Sequence, residues 1–170
     1  MVHSIELVFD RDTEVAIRNI WEALATAGIP SQAPASRPHV TLAVAEGIAA
    51  DVDALLRPVA ERLPQRCLIG APVLFGRASA VFARLVVPTG ELLALHAQVH
   101  RVCAPHCKPG PMPNSLPGQW TGHVTLARRV GGAQLGRALR VAGRPTQIEG
   151  NFAGLRRWDG NKKVEHLIGG

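Results

Sequence analysis

The chain contains no tyrosine, only three cysteines, and a mere 4% aromatic residues in 170. Cys67, Cys103 and Cys107 are too few and too unevenly spaced for a disulfide framework, so reduced thiols are expected. No uncharged apolar run approaches the ~20 residues that span a bilayer. The opening Met-Val-His-Ser-Ile-Glu-Leu also lacks a basic stretch followed by an apolar core. These absences exclude a membrane span and a secreted disulfide scaffold, and they predict a cytoplasmic protein. Nothing in the pattern marks an obligate protein partner. What is present suffices to fold: 46% hydrophobic and 19% charged residues, at a length that suits a single domain over residues 1–170.

Acidic residues are scarce in one region only. Residues 1–119 carry ten basic and ten acidic side chains, whereas residues 120–170 carry nine basic and three acidic, so the whole +6 net charge sits in the last third. Such a segment concentrates anionic ligands such as phosphates or nucleic acid.

Ile5, Leu7 and Phe9 alternate as a first strand, and Val15, Ile17, Ile20, Trp21 and Leu24 recur at helical spacing behind Asp12 as a candidate cap. The pattern predicts further strands at 39–45, 66–75, 79–87, 120–129, 147–157 and 163–168. Helices are predicted at 51–63, kinked at Pro58, and at 89–103 and 133–142. Gly76-Arg77-Ala78-Ser79 joins the central pair of strands as a hairpin, and residues 104–119, with five prolines, form a long irregular loop. Strands that outnumber helices but alternate with them give an α+β fold of sheets backed by helices.

One grouping has metal-ligand spacing: His96, His100, Cys103 and Cys107 fall at i, i+4, i+7 and i+11. Pro105 interrupts that stripe. Leu92, Leu95, Val99 and Val102 take the core face, leaving the imidazoles as solvated boundary residues beside a buried thiol.

The chemistry lies in a repeat. His39-Val40-Thr41-Leu42-Ala43 recurs as His123-Val124-Thr125-Leu126-Ala127, 84 positions later. On a strand, His and Thr share one face while Val and Leu anchor the other. Packing alone would repeat the Val and Leu positions; repeating His and Thr points to a site. Two imidazoles facing each other can remove a proton at one end of a reaction and deliver one at the other near neutral pH. In-line attack on a phosphodiester needs that pair, with the threonine hydroxyls on the non-bridging oxygens and arginines offsetting charge. The scheme calls on no metal and no other cofactor.

The two motifs resemble those of the 2H phosphoesterase superfamily, which includes bacterial 2'-5' RNA ligases and RNA 2',3'-cyclic phosphodiesterases. Pro38 before the first motif and Arg128 after the second extend the resemblance, and spacing and element order spread it over most of the chain. It implies two similar lobes, each an antiparallel sheet backed by helices, around a central groove lined by His39, Thr41, His123 and Thr125. It implies an RNA or nucleotide cyclic phosphate as substrate, for hydrolysis or ligation; for hydrolysis we assign His39 as general acid and His123 as general base, an order that the motifs themselves leave open. Thr121-Gly122 stands where many relatives carry proline, suggesting a flexible entry to the second motif. Arg128 has the opposite parity to His123 and Thr125, so a regular strand turns it away from the groove unless a bulge re-aims it. Trp120 and Trp158 are candidates for stacking on a base. A non-catalytic RNA-binding module using the same basic groove, and a zinc protein built on His96, His100 and Cys103, are the rival readings.

Overall fold

The computed structural model describes residues 1–32, 35–76 and 78–169; Arg77 of the predicted hairpin turn lies outside them. Helices and strands follow in order: β1 (His3–Phe9), α1 (Arg11–Thr26), β2 (His39–Ala45), β3 (Gly47–Ile48), α2 (Val52–Ala60), β4 (Gln65–Gly76), β5 (Ser79–Val86), α3 (Gly90–Cys103), β6 (Cys107–Lys108), β7 (His123–Gly131), α4 (Leu135–Ala142), β8 (Ile148–Asp159) and β9 (Val164–Gly169). The helix starts are chemical. Asp10, not Asp12, caps α1: its extended backbone lets its carboxylate accept from the Thr13 amide at 3.1 Å, while Asp12 already lies in the first turn beside the helix dipole. Thr89 caps α3 in the same way, accepting from Leu92. Helix α2 ends just past Pro58 rather than running to residue 63.

Seven strands form one antiparallel sheet in the order β2-β1-β8-β4-β5-β7, with β9 also paired to β8. The long β8 is the strand that both halves share. Residues 152–159 pair with β1, and residues 148–152 pair with β4. Helices α1 and α4 pack together on one half of the molecule and α2 and α3 on the other. Ile17 and Leu24 of α1 and Leu56 and Leu92 of α2 and α3 are wholly buried with Leu7, Leu42, Leu126 and Phe152 of the sheet. Each buried side chain of this size is worth about 1.5–3 kcal/mol of transfer free energy. The residues between α3 and β7 hold β6, which pairs with β3, and two short 3-10 turns, so the segment predicted as an irregular loop is partly organised. Among the described residues no helix is long and apolar enough to cross a membrane.

Arg84 of β5 is fully buried with no carboxylate partner among the described residues. Its guanidinium donates to the carbonyls of Gly70 (2.5 Å), Ala142 (3.0 Å), Pro145 (2.8 Å) and Thr146 (2.8 Å), tying the β4–β5 pair to the end of α4 and the approach to β8. Burial lowers its pKa from the ordinary arginine value.

This topology determines the position of the repeat. The motif strands β2 and β7 stand at opposite ends of the sheet order, yet they come into contact with each other.

Candidate active site

The repeat encodes a local device that the alternation of a regular strand does not anticipate. In β2, Glu6 and Ile5 face Thr41 and Ala43, leaving Leu42 extra; in β7, Ala83 and Phe82 face Thr125 and Ala127, leaving Leu126 extra. Each copy therefore carries a β-bulge at its leucine, which puts both Leu and the following Ala into the core. This accounts for the fifth repeated residue. The bulge also reverses parity beyond it, so Val44 and Arg128 return to the groove face with their threonines. Arg128 is re-aimed in this way.

Bulged edge strands leave carbonyls without a ladder partner. The Thr41 carbonyl accepts from the Trp120 indole at 2.9 Å, and the Thr125 carbonyl from the Trp21 indole at 3.1 Å. The Leu42 carbonyl accepts from His96 Nε2 at 3.0 Å and His100 Nε2 at 2.9 Å. These two imidazoles are buried, not solvated, because they satisfy that carbonyl. Burial first, and the neighbouring His100 second, lower the pKa of His96 and keep it neutral. The Cys103 and Cys107 sulfurs lie 3.4 Å apart in the core, where burial pushes both thiols up, as it pushes Cys67 up to about 12. Among the described residues no three His, Cys, Asp or Glu side chains are gathered to hold a metal ion.

The catalytic candidates repeat a second detail. His39 Nδ1 donates to the Arg37 carbonyl at 2.8 Å, and His123 Nδ1 to the Thr121 carbonyl at 2.7 Å, each two residues back along the chain. These bonds fix the tautomer and leave Nε2 of both rings for a substrate. Their surroundings differ. His39 Nε2 lies 3.6 Å from Oε1 of Glu6, a buried carboxylate held by Ser4 Oγ and by Arg156 at 2.7 Å, and Arg156 continues to Glu165 at 2.6 Å. Arg156 Nη2 also lies 3.4 Å from His39 Nδ1. His123 sits against Phe75, ring centroids 4.6 Å apart. Its pKa is lowered from the ordinary imidazole value, by burial first, against the raising effect of the Thr121 carbonyl, with the charges of His39 and Arg128 lowering it further.

Two hollows make up the groove. One of about 670 Å³ is lined by His39, Thr41 and Arg128 with Arg37, Arg156 and Trp158; one of about 480 Å³ is lined by His123, Thr125, Thr41 and Arg128 with Phe75 and Trp120. They share Thr41, Val44 and Arg128, and a narrower recess joins His39, Thr125 and Arg128. All four repeated polar side chains and Arg128 thus open on one groove. Trp120 lines it with one face already taken: its ring stacks on His96 at 4.0 Å and 10°. Trp158 lines the opposite end, with the Arg156 guanidinium 5.5 Å above its ring. Gly122 is buried rather than a flexible entry, because the Trp120 ring packs where a side chain would stand: a Cβ there would lie 2.7 Å from it.

Sequence reasoning missed Glu6, Arg156, Phe75 and the indole of Trp21. The signal for Glu6 was present, since it lies out of phase with Ile5 and Leu7 in an otherwise apolar strand, together with Ser4.

The fold is shared with solved proteins of low sequence identity. The MHV ns2 PDE domain is 16% identical, with 99% of each chain covered and a TM-score of 0.57. The Thermus thermophilus protein TT0787 is 15% identical, with 98% of this chain and 94% of that chain covered and a TM-score of 0.60. E. coli LigT complexed with 3'-AMP is 13% identical, with 97% and 91% covered and a TM-score of 0.57. No curated protein sequence is significantly similar. The family model of the 2'-5' RNA ligase superfamily matches residues 12–162. A duplicated bulged strand that turns His39, Thr41, His123 and Thr125 onto one groove, in a chain matched over nearly its whole length, makes this protein a member of the 2'-5' RNA ligase superfamily.

Proposed function

We propose that the protein is a phosphodiesterase that opens 2',3'-cyclic phosphates on RNA ends or small nucleotides, ligation being the same ring opening with an RNA hydroxyl in place of water. The observation that carries this reading is the pair of imidazoles, each with Nδ1 tied to a backbone carbonyl, lining one groove with two threonine hydroxyls and an arginine, His39 Nε2 beside the Glu6 carboxylate. His123 is the general base. Its lowered pKa keeps it neutral near neutral pH, so its Nε2 takes a proton from the attacking water as the oxygen closes on phosphorus. The bond from phosphorus to one ribose oxygen then breaks, and His39 Nε2–H protonates that oxygen, with Glu6 at 3.6 Å as carboxylate partner for the charged ring. Thr41 and Thr125 donate to the non-bridging oxygens, and Arg128 offsets the charge gathering on them. The balance closes with one water added and no further reactant. The 3'-AMP bound by E. coli LigT agrees with a nucleotide-sized ligand.

The test is incubation with 2',3'-cyclic nucleotides and cyclic-phosphate-ended RNA in EDTA, read by phosphorus NMR, for wild type, His39→Ala and His123→Ala. A ring-opened monoester from wild type alone supports the reading. Turnover by both variants at the wild-type rate overturns it. Salt-sensitive RNA binding without turnover, unchanged in either variant, leaves a binding module instead.

A further inference from the structure

We propose that the end of the groove beyond His39 is a subsite for a second phosphate, so that the preferred substrate carries an anionic group one unit away from the reacting phosphorus. The inference rests on the proposed function and adds a direction to the groove.

The floor of this end is built by alternation. Ser4 and Glu6 of β1 and Arg156 and Trp158 of β8 share a face at period two, and Lys163 and Glu165 continue it beside them, all lining the larger hollow. Its volume, about 670 Å³, is that of a whole ligand pocket, whereas the residues assigned to the reacting phosphate occupy only one margin of it. Arg18, Arg37, Arg128, Arg156 and Lys163 line it against the two carboxylates of Glu6 and Glu165. The other hollow has Arg128 as its one charged group among the described residues and is walled by Phe75, Val81 and Trp120 with the amides of Asn114 and Gln119. One end therefore suits a nucleoside and the other an anion.

The cations at the anionic end are fixed in place. Arg156 is buried, forked between Glu6 and Glu165 and seated over Trp158, while Arg37 reaches Glu165 at 3.5 Å and Glu14 at 3.4 Å. Arg156 first, then Arg37, hold the Glu165 carboxyl below its ordinary range. Lys163 is different: it is exposed, lines the hollow and has no ion pair among the described residues. Its φ of +56° lies in the left-handed region that non-glycine residues seldom adopt. The turn holds it there, because Asp159 Oδ1 accepts the Asn161 and Lys162 amides at 3.0 Å each. The turn fixes where the Lys163 backbone stands at the rim of the hollow, and its side chain brings to the lining a charge that is unpaired among the described residues.

The phosphate could be an internal diester of an RNA strand or the terminal monoester of a nucleotide. The experiment compares kcat/KM for three probes: a 2',3'-cyclic nucleoside monophosphate, the same compound bearing a 5'-phosphate, and a dinucleotide ending in a 2',3'-cyclic phosphate. The wild type favours the phosphate-bearing probes over the plain one by about tenfold, mostly through KM, and the one favoured more identifies the source. Lys163→Asn removes the charge but tolerates the left-handed backbone, which separates charge from strain. It abolishes most of that preference and lowers the salt slope of binding by about one. Equal kcat/KM for all three probes, or a preference untouched in Lys163→Asn, overturns the subsite. If no probe is turned over, the proposed function fails. Calorimetry then decides the subsite alone: tighter wild-type binding of the 5'-phosphorylated probe than of the plain one, lost in Lys163→Asn, keeps it, and equal affinities remove it.

Discussion

The two copies of the repeat match in backbone and differ in company. Around β2 and β7 the same bulge falls at leucine, the same ring nitrogen donates two residues back, and the same threonine carbonyl accepts an indole. Yet His39 faces the Glu6–Arg156 pair, whereas His123 faces Phe75, and where the first copy brings Val44 to the groove the second brings Arg128. The shared backbone turns two equivalent rings onto the connected hollows of one groove. The unshared neighbours make them unlike, which favours one of the two singly protonated arrangements of the pair over the other.

The largest effect comes from removing either ring. His39→Ala and His123→Ala each lower kcat by about a hundred- to ten-thousandfold on a cyclic phosphate. The comparison sharpens when the leaving group is changed. On a nucleoside 3'-(4-nitrophenyl phosphate) the ribose 2'-hydroxyl attacks and the step runs opposite to ring opening, so His39 takes the proton and His123 serves the leaving group; because nitrophenolate needs no proton, His123→Ala recovers most of its rate and His39→Ala does not. Recovery by His39→Ala instead reverses the two roles.

Next in size is the position where the copies diverge. Arg128→Val makes the second copy like the first, and the expected loss in kcat/KM is about a hundredfold, in the range for losing one preorganised charge stabiliser. A loss below about threefold means that Arg128 only steers substrate.

Much of this site could be read from the chain, and what could not has a physical cause. Period two put His and Thr on one face in both copies, and the limits of β2 agree with the pattern. Parity then pointed Arg128 away, because a bulge is a property of the pairing between strands and leaves no mark in the alternation of one strand alone. The sequence trace of the bulge is the fifth repeated residue, Ala43 and Ala127, where a regular strand would have turned outward. Glu6 and Arg156 lie 150 positions apart, and only the β1–β8 register makes them a pair. The histidines of α3 seemed to be boundary residues because the acceptor that draws them inward, the Leu42 carbonyl, is backbone and has no residue signature.

Smaller again is the test of the shared backbone. Trp120→Phe and Trp21→Phe keep most of the ring and remove the N–H, leaving a buried threonine carbonyl unpaired, at a cost of about 1–3 kcal/mol each in denaturant unfolding. Similar costs sharpen the equivalence of the two bulges. A cost confined to one of them breaks it, and Trp120→Phe carries the further load of the His96 stack.

The smallest effect isolates what would suit His123 to the proposed role of base. Burial is the leading cause of its lowered pKa, and Phe75 is part of what buries it. A base acts only when neutral, so kcat/KM rises with pH through the His123 pKa, and a lowered value puts that rise below the ordinary imidazole range. Phe75→Ala admits water to the ring, makes its protonated form less costly and so moves the rise toward higher pH, while the charges of His39 and Arg128 still hold it down. The matching change beside His39, Glu6→Gln, removes a carboxylate 3.6 Å from its Nε2 rather than an apolar wall, and lowers kcat/KM while leaving the rising limb in place. If both substitutions move the same limb, the two rings are not divided between acid and base by their neighbours, and the division must come from the substrate itself.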